Sequence, residues 1–152
     1  MNPSTATLPA TTADADRKLA IFEEMMRAWS AKDAATCAKL FTENGVLHSV
    51  MIDPIVGREA IYQRIKGLEA SNKQFHGHIL RYGVIGNGTL VTERVDELVI
   101  DGVSRSYPVV GLLDFEGDQI ALWKDYYDRN QLLRAQGQGA IQTQCSRRRQ
   151  YL

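Results

Sequence analysis

The apolar residues of this chain change their period near residue 74, and that change limits the fold more than any other feature. Before it, Leu19, Phe22, Met26 and Trp29 recur at spacings of three, four and three, which makes one stripe along a helix. Small polar and acidic residues between Thr11 and Asp16 can cap the free amides at its start. Lys32-Asp33 interrupts the stripe, and Asp33 is placed to cap a second helix carrying Cys37, Leu40 and Phe41. A third helix is expected after Gly57, with Ile61, Ile65 and Leu68 on its buried side. Residues 46–51 read as a short strand between the second and third helices.

After residue 74 the pattern becomes that of strands, over 74–84, 89–100, 104–115 and 119–128. Gly86-Asn87-Gly88, Asp101-Gly102 and Glu116-Gly117-Asp118 separate them, all favourable turn chemistry. Connections this short force antiparallel neighbours, because a parallel pair needs a long crossover. Helices first and a meander afterwards predict an α+β domain, a curved sheet with helices on one face. Such a sheet leaves a hollow beneath the helices, where an apolar ligand can lodge. The 152 residues, 44% of them hydrophobic, suit one domain with a sizeable core, expected over 13–136. Residues 1–12 are rich in Pro, Ser, Thr and Ala and are expected to be disordered; 137–152, rich in Gln and Arg, read as a flexible tail.

Several function classes receive no support. Eighteen acidic residues balance eighteen basic ones, so nothing suggests a nucleic-acid surface; the Arg147-Arg148-Arg149 run reads as solvated tail. Cys37 and Cys145 have no metal-ligand spacing and form no disulfide framework, and Cys37 reads as an inert core thiol. No secretory leader and no membrane span is visible, which makes the cytoplasm the default compartment. Walker-type and dinucleotide-binding glycine loops, HExxH and paired CxxC are all missing. His76 and His78 share one strand face, but no third ligand with clear spacing accompanies them, so no metal is expected.

Two strand segments carry the candidate chemistry, Thr92-Glu93-Arg94-Val95-Asp96 and Trp123-Lys124-Asp125-Tyr126-Tyr127-Asp128. Alternation puts Arg94, Asp96 and Leu98 on one face, and Trp123, Asp125 and Tyr127 on one face. A carboxylate between two aromatic positions is costly to bury unless it is paired or hydrogen-bonded. Arg94 can supply the pairing, since one guanidinium has five donors and can hold two carboxylates. Two carboxyls sharing one cation need not titrate together, so one can keep a proton while the other stays ionised. Opening a strained ring by acid and base at once needs that division. On spacing alone the plainer reading, an ion-pair triad that only fixes the sheet, is favoured.

The stretch TERVDELV, followed about thirty residues later by ALWKDYYD, resembles the two signature strands of limonene-1,2-epoxide hydrolases. Further similarity runs from FTENGV through GREAIYQ, and the resemblance spans roughly residues 17 to 133. It implies a cone-shaped, mixed but mostly antiparallel sheet with N-terminal helices on its concave face, the fold shared with nuclear transport factor 2, ketosteroid isomerase and SnoaL-type polyketide cyclases. It implies Asp125 as the base that activates water, Asp96 as the acid that protonates the epoxide oxygen, and Arg94 as the bridge. It also implies a hydrophobic terpenoid-like or alicyclic epoxide as substrate, a vicinal diol as product, no metal or organic cofactor, no covalent enzyme ester, and a homodimer.

One departure from that family stands out. The family holds its water with a Tyr and an Asn two residues apart, where an ungapped reading from Phe41 to Arg58 places Leu47 and Ser49. Leu47 cannot hydrogen-bond water, Ser49 can but is short, and His48 between them points away unless a bulge re-aims it. A drier site admits an isomerase, or a cyclase in which the substrate's own nucleophile opens the epoxide. A non-catalytic ligand-binding or dimerisation module also fits the fold. Leu98, Tyr107, Val109 and Trp123, with Leu80 and Ile65, are candidates for the apolar pocket wall, or equally for plain core.

Overall fold

A computed structural model describes residues 12–137. Residues 1–11 of the expected N-terminal segment and 138–152 of the expected tail, with Cys145 and the arginine run, lie outside them, whereas Thr12 already belongs to the first helix. Helix α1 spans Thr12–Ser30 and buries Lys18, Phe22, Met25 and Met26. The buried stripe therefore centres on Phe22 and Met25, with Leu19 and Trp29 at its half-exposed margins. Lys18 tolerates burial because its ammonium reaches Asp14 Oδ2 at 2.7 Å and donates to the Gly88 carbonyl at 2.7 Å. Helix α2, Ala34–Leu40, starts at Asp33, whose carboxylate accepts from the Thr36 amide at 3.0 Å, as N-capping requires.

Phe41 corrects the sequence reading. It is not the end of α2 but the first residue of β1, Phe41–Ser49, with extended backbone (φ −90°, ψ 152°). Its carbonyl accepts from Arg58 Nε at 3.0 Å and Nη2 at 2.7 Å, while its ring is fully buried. A two-residue strand, β2 (Ile55–Val56), follows, and then α3, Arg58–Lys66, with Ile61 and Ile65 buried. Gly57 precedes α3 at φ +94°, a conformation that favours glycine.

The second half forms β3 (Gln74–Ile85), β4 (Thr89–Ile100), β5 (Val103–Glu116) and β6 (Gln119–Tyr126). Asp101 and Gly102, both at positive φ, make the tight β4–β5 turn expected of an Asp-Gly pair. The sheet order is β2-β1-β6-β5-β4-β3, antiparallel throughout except that β1 runs parallel to β6. The fold is thus the expected α+β one, an open curved sheet carrying helices. Burial alternates without fault along β4, where Leu90, Thr92, Arg94, Asp96 and Leu98 all face inward. In β3 the register shifts between Ile79 and Arg81, so inward positions change from Phe75, Gly77 and Ile79 to Tyr82 and Val84. Bulges of this kind bend a strand and curve the sheet.

A short helix, α4 (Arg129–Ala135), was not foreseen. Asp128, read as the end of the last strand, instead caps α4 by accepting from the Asn130 amide at 2.8 Å. Leu132 and Ala135 of α4 pack on Leu98, Tyr107 and Val109. The larger core gathers Phe22, Met25, Cys37, Phe41, Ile61, Ile65, Leu113, Ile120 and Trp123 between the helices and the sheet. Burial pushes the Cys37 thiol up to about 12, in keeping with an inert core thiol. Among the described residues no helix is long and apolar enough to cross a membrane.

Candidate active site

A cavity of about 380 Å³ opens between the concave face of the sheet and the helices. Its floor is made by Arg94, Asp96, Trp123 and Asp125, side chains of β4 and β6. Arg94 stands at the centre with four hydrogen bonds. Its Nε donates to Asp96 Oδ1 at 2.8 Å and its Nη2 to Asp96 Oδ2 at 3.1 Å. On the other side Nη1 donates to Asp125 Oδ1 at 3.0 Å and Nη2 to Asp125 Oδ2 at 2.5 Å. The Trp123 indole N–H adds a bond to Asp125 Oδ1 at 2.7 Å.

The guanidinium lies 5.6 Å from the Phe22 ring centre and 5.7 Å from that of Trp123. Both distances allow a cation–π attraction that helps a charge tolerate burial. Trp123 is itself fixed edge-on by Phe22 at 5.2 Å and Trp29 at 5.5 Å, and stacked by Phe41 at 6.5 Å. The apolar core thus holds the indole that holds the carboxylate.

Arg94 and Asp125 lie on strands separated by β5, and the bridge crosses that strand at Gly111. Gly111 pairs with Thr92 on one side and Asp125 on the other. A Cβ at Gly111 would stand 2.7 Å from Arg94 Nη1, 2.9 Å from Thr92 Oγ1 and 3.0 Å from Asp125 Oδ1. Only glycine leaves room for the guanidinium to lie across the strand. Sequence reasoning missed this residue, although a lone glycine inside Val109-Val110-Gly111-Leu112-Leu113 signals close approach of another group.

The two carboxyls differ in exposure. The Asp96 side chain is 6% exposed and that of Asp125 14%. Burial pushes the Asp96 carboxyl above the ordinary range; Arg94 pulls it back and the Asp125 charge pushes it up again. Burial works against the Arg94 charge, but Asp125 and Asp96 outweigh it and raise the guanidinium further, so it stays a cation. Tyr107, opposite Asp96 on β5, is held strongly neutral by burial and by the Asp96 charge.

The expected wall residues separate into two groups. Leu47, Ser49, Leu98, Tyr107 and Trp123 line the cavity. His48 and Val109 do not, and strand geometry explains both. The register irregularity of β1 lies between Phe41 and Val46, too early to re-aim His48, which pairs with Lys124 on the opposite face. Val109 is 2% exposed and packs under Leu98, Tyr107 and Ala135 as core. Ile65 is also core, and Leu80, the unpaired residue of the β3 bulge, is 62% exposed on the outer face. His78 shares that outer face and lies 3.1 Å from Glu97. Ser49 is the register neighbour of Asp125. Trp29, expected only as part of the first helical stripe, completes the apolar wall together with Phe75, Ile55 and the α4 leucines Leu132 and Leu133, none of which the sequence had pointed to.

The model of the limonene-1,2-epoxide hydrolase catalytic domain matches residues 17–138. The chain belongs to that family. Among solved structures it is similar to an LEH-like epoxide hydrolase from M. tuberculosis, at 22% identity over 79% of this chain and 84% of that one, with a TM-score of 0.69. It is also similar to a Catenulispora acidiphila protein with a ketosteroid isomerase-like fold, solved with trimethylamine, at 24% identity over 82% and 97% (TM-score 0.69). A SnoaL-like protein from Shewanella denitrificans shares 14% identity over 79% and 96% (TM-score 0.68). At these identities the structural likenesses establish the fold and leave the reaction to the site.

Proposed function

We propose that this protein hydrolyses a hydrophobic epoxide, terpenoid-like or alicyclic, to a vicinal diol without a cofactor. The observation that carries the reading is the Asp96–Arg94–Asp125 bridge on the floor of an apolar cavity. Asp125, the more open carboxylate, takes a proton from water while the water oxygen attacks a ring carbon. The carbon–oxygen bond of the ring breaks, and the epoxide oxygen takes the proton of Asp96, which burial favours in its protonated form. Asp125 ends protonated and Asp96 ionised; exchange with pocket water restores both. Arg94 keeps its charge throughout and spreads it over whichever carboxyl is ionised. Leu47, Ile55, Phe75 and Leu98 present apolar surface to the substrate.

Leu47 supports a second reading, since it takes the place of a water ligand with a side chain that repels water. In that reading a hydroxyl or enol of the substrate replaces water as nucleophile, and the same two carboxyls catalyse isomerisation or cyclisation. Incubation with a panel of cyclic epoxides, with diols read by mass spectrometry, separates the two. Diol formation that disappears with Asp125→Asn supports hydrolysis; rearranged or cyclised product without diol supports the second reading.

We further propose a homodimer formed through the outer face of the sheet, where Leu80, Val110 and Tyr126 are 62%, 42% and 42% exposed. Covering such a face removes apolar surface from water.

A further inference from the structure

The floor of the cavity carries two carboxylates and one cation, but its outer part has the opposite charge. Lys32, Arg64, Lys73 and Arg129 line it with a single carboxylate, Asp53. Arg64 and Arg129 are exposed, and Lys32 and Lys73 are half-buried. The chain as a whole has no net charge, so this excess of positive charge is local. Elsewhere on the surface some cations take carboxylate partners, as Arg17 does with Asp118, Arg27 with Glu24, Lys66 with Glu69 and Arg81 with Glu93, while Lys39, Arg105 and Lys124 have none among the described residues.

The four rim cations stand together without a carboxylate partner among the described residues. Among the described residues the Lys32 ammonium donates only to the Ser71 carbonyl, which draws it beside the segment carrying Lys73. The side chains of Arg64, Lys73 and Arg129 have no hydrogen bond or ion pair among the described residues. Arg64 lies in the last turn of α3, four residues before Leu68, another wall residue, and Arg129 opens α4. Between rim and floor the wall is apolar, with Leu47, Ile55, Phe75, Leu98, Leu132 and Leu133. Burial among the lining residues therefore runs from the exposed Arg64 and Arg129, through mostly half-buried apolar side chains, to the buried Arg94 and Asp96.

We propose that this site takes hydrophobic molecules with an anionic head, a carboxylate or a phosphate monoester, held at the rim while the apolar body reaches the floor. Combined with the epoxide hydrolysis proposed above, on which this part rests, the substrate class is an epoxide on an apolar skeleton whose remote end is anionic. Charge at a cleft mouth concentrates such ligands and orients them, so the reactive ring enters first. A long apolar chain with a neutral head would enter in either direction.

Binding of unreactive C10 probes to the wild-type protein tests this without turnover. Calorimetry with decanoate, decyl phosphate and decanamide should show one of the anions binding about tenfold more tightly than the amide at low salt, with the advantage shrinking at high salt. Whichever anion binds more tightly identifies the head. The double variant Arg64→Gln/Lys73→Gln, at exposed and half-exposed positions, should lose most of that advantage and leave decanamide binding unchanged. Equal affinity for anions and amide, a preference the double variant keeps, or no binding of any probe would each overturn the proposal. A protein that binds decanoate in this way but opens no epoxide would refute the hydrolase reading alone.

Discussion

Across the cavity floor, one guanidinium makes four hydrogen bonds to two carboxylates and an indole N–H makes a fifth. On β1, beside Asp125, Leu47 offers no hydrogen-bonding atom and Ser49 offers one short hydroxyl. The groups proposed to transfer protons are thus fixed before any ligand arrives, whereas the proposed water would find few partners. Removing one member of a buried ion network costs about 3–5 kcal/mol, because it strands the others. Losing a pocket hydroxyl costs far less. Proton transfer should accordingly fail abruptly under mutation, and water placement should respond by degrees.

The sharpest way to break the contrast is at Asp125. Asp125→Asn keeps the shape but removes the acceptor for water's proton, and diol formation should fall about 10²–10⁴-fold with an unchanged circular-dichroism spectrum. Next comes Gly111→Val, whose added atoms collide with the guanidinium, Thr92 and Asp125. It should lower kcat/KM about 10²-fold by displacing the bridge, and stability by about 1–3 kcal/mol. Gly83→Ala, where an added Cβ meets nothing within 4 Å, is the control and should do neither.

The β1 side gives a smaller effect of opposite sign. Leu47→Tyr/Ser49→Asn adds two water ligands beside Asp125 and should raise diol formation about tenfold through better orientation. No gain in a folded variant would favour the reading in which the substrate supplies its own nucleophile.

The pH dependence reports on the Asp96 carboxyl. Asp96 must hold its proton to act as acid, so kcat/KM should fall as pH rises through its raised folded value. Stability should follow the same sign. A raised folded pKa gives a contribution complete below the ordinary value of 3.8 and lost as pH rises through the folded one. Thermal melts of Asp96→Asn should show that slope removed; an unchanged slope would assign it to another group.

The outer face makes the mildest test. Sedimentation should give a dimer at micromolar concentration, and Val110→Lys with Tyr126→Lys should shift it towards monomer. A wild-type monomer would contradict the proposed dimer.

How much of this was legible beforehand differs between the same two regions. Arg94, Asp96 and Leu98 could be put on one face from alternation alone, because β4 has no bulge to change its phase. Leu80 could not, since the β3 bulge reverses phase and no turn residue marks the spot. Phe41 looked helical because Cys37 and Leu40 set a helical spacing, but Arg58 takes its carbonyl and the chain is already extended there. Helix α4 was hidden because its seven residues are too few for a periodic stripe, although Asp128 and Gly137 mark its two ends. The roles of Arg94, Asp96 and Asp125 came from resemblance to the family. Their contact depends on Gly111, whose meaning appears only when three strands are side by side.

The central claim is that the floor carboxylates direct water onto the ring without a covalent intermediate. Single-turnover hydrolysis of a cyclic epoxide in ¹⁸O-labelled water, with enzyme in excess, tests it most directly. The account predicts one labelled oxygen in every diol molecule of that first turnover and none in Asp96 or Asp125. Unlabelled diol in the first turnover, with label later found in an aspartate, would mean that a carboxylate attacks the ring itself and would contradict the account.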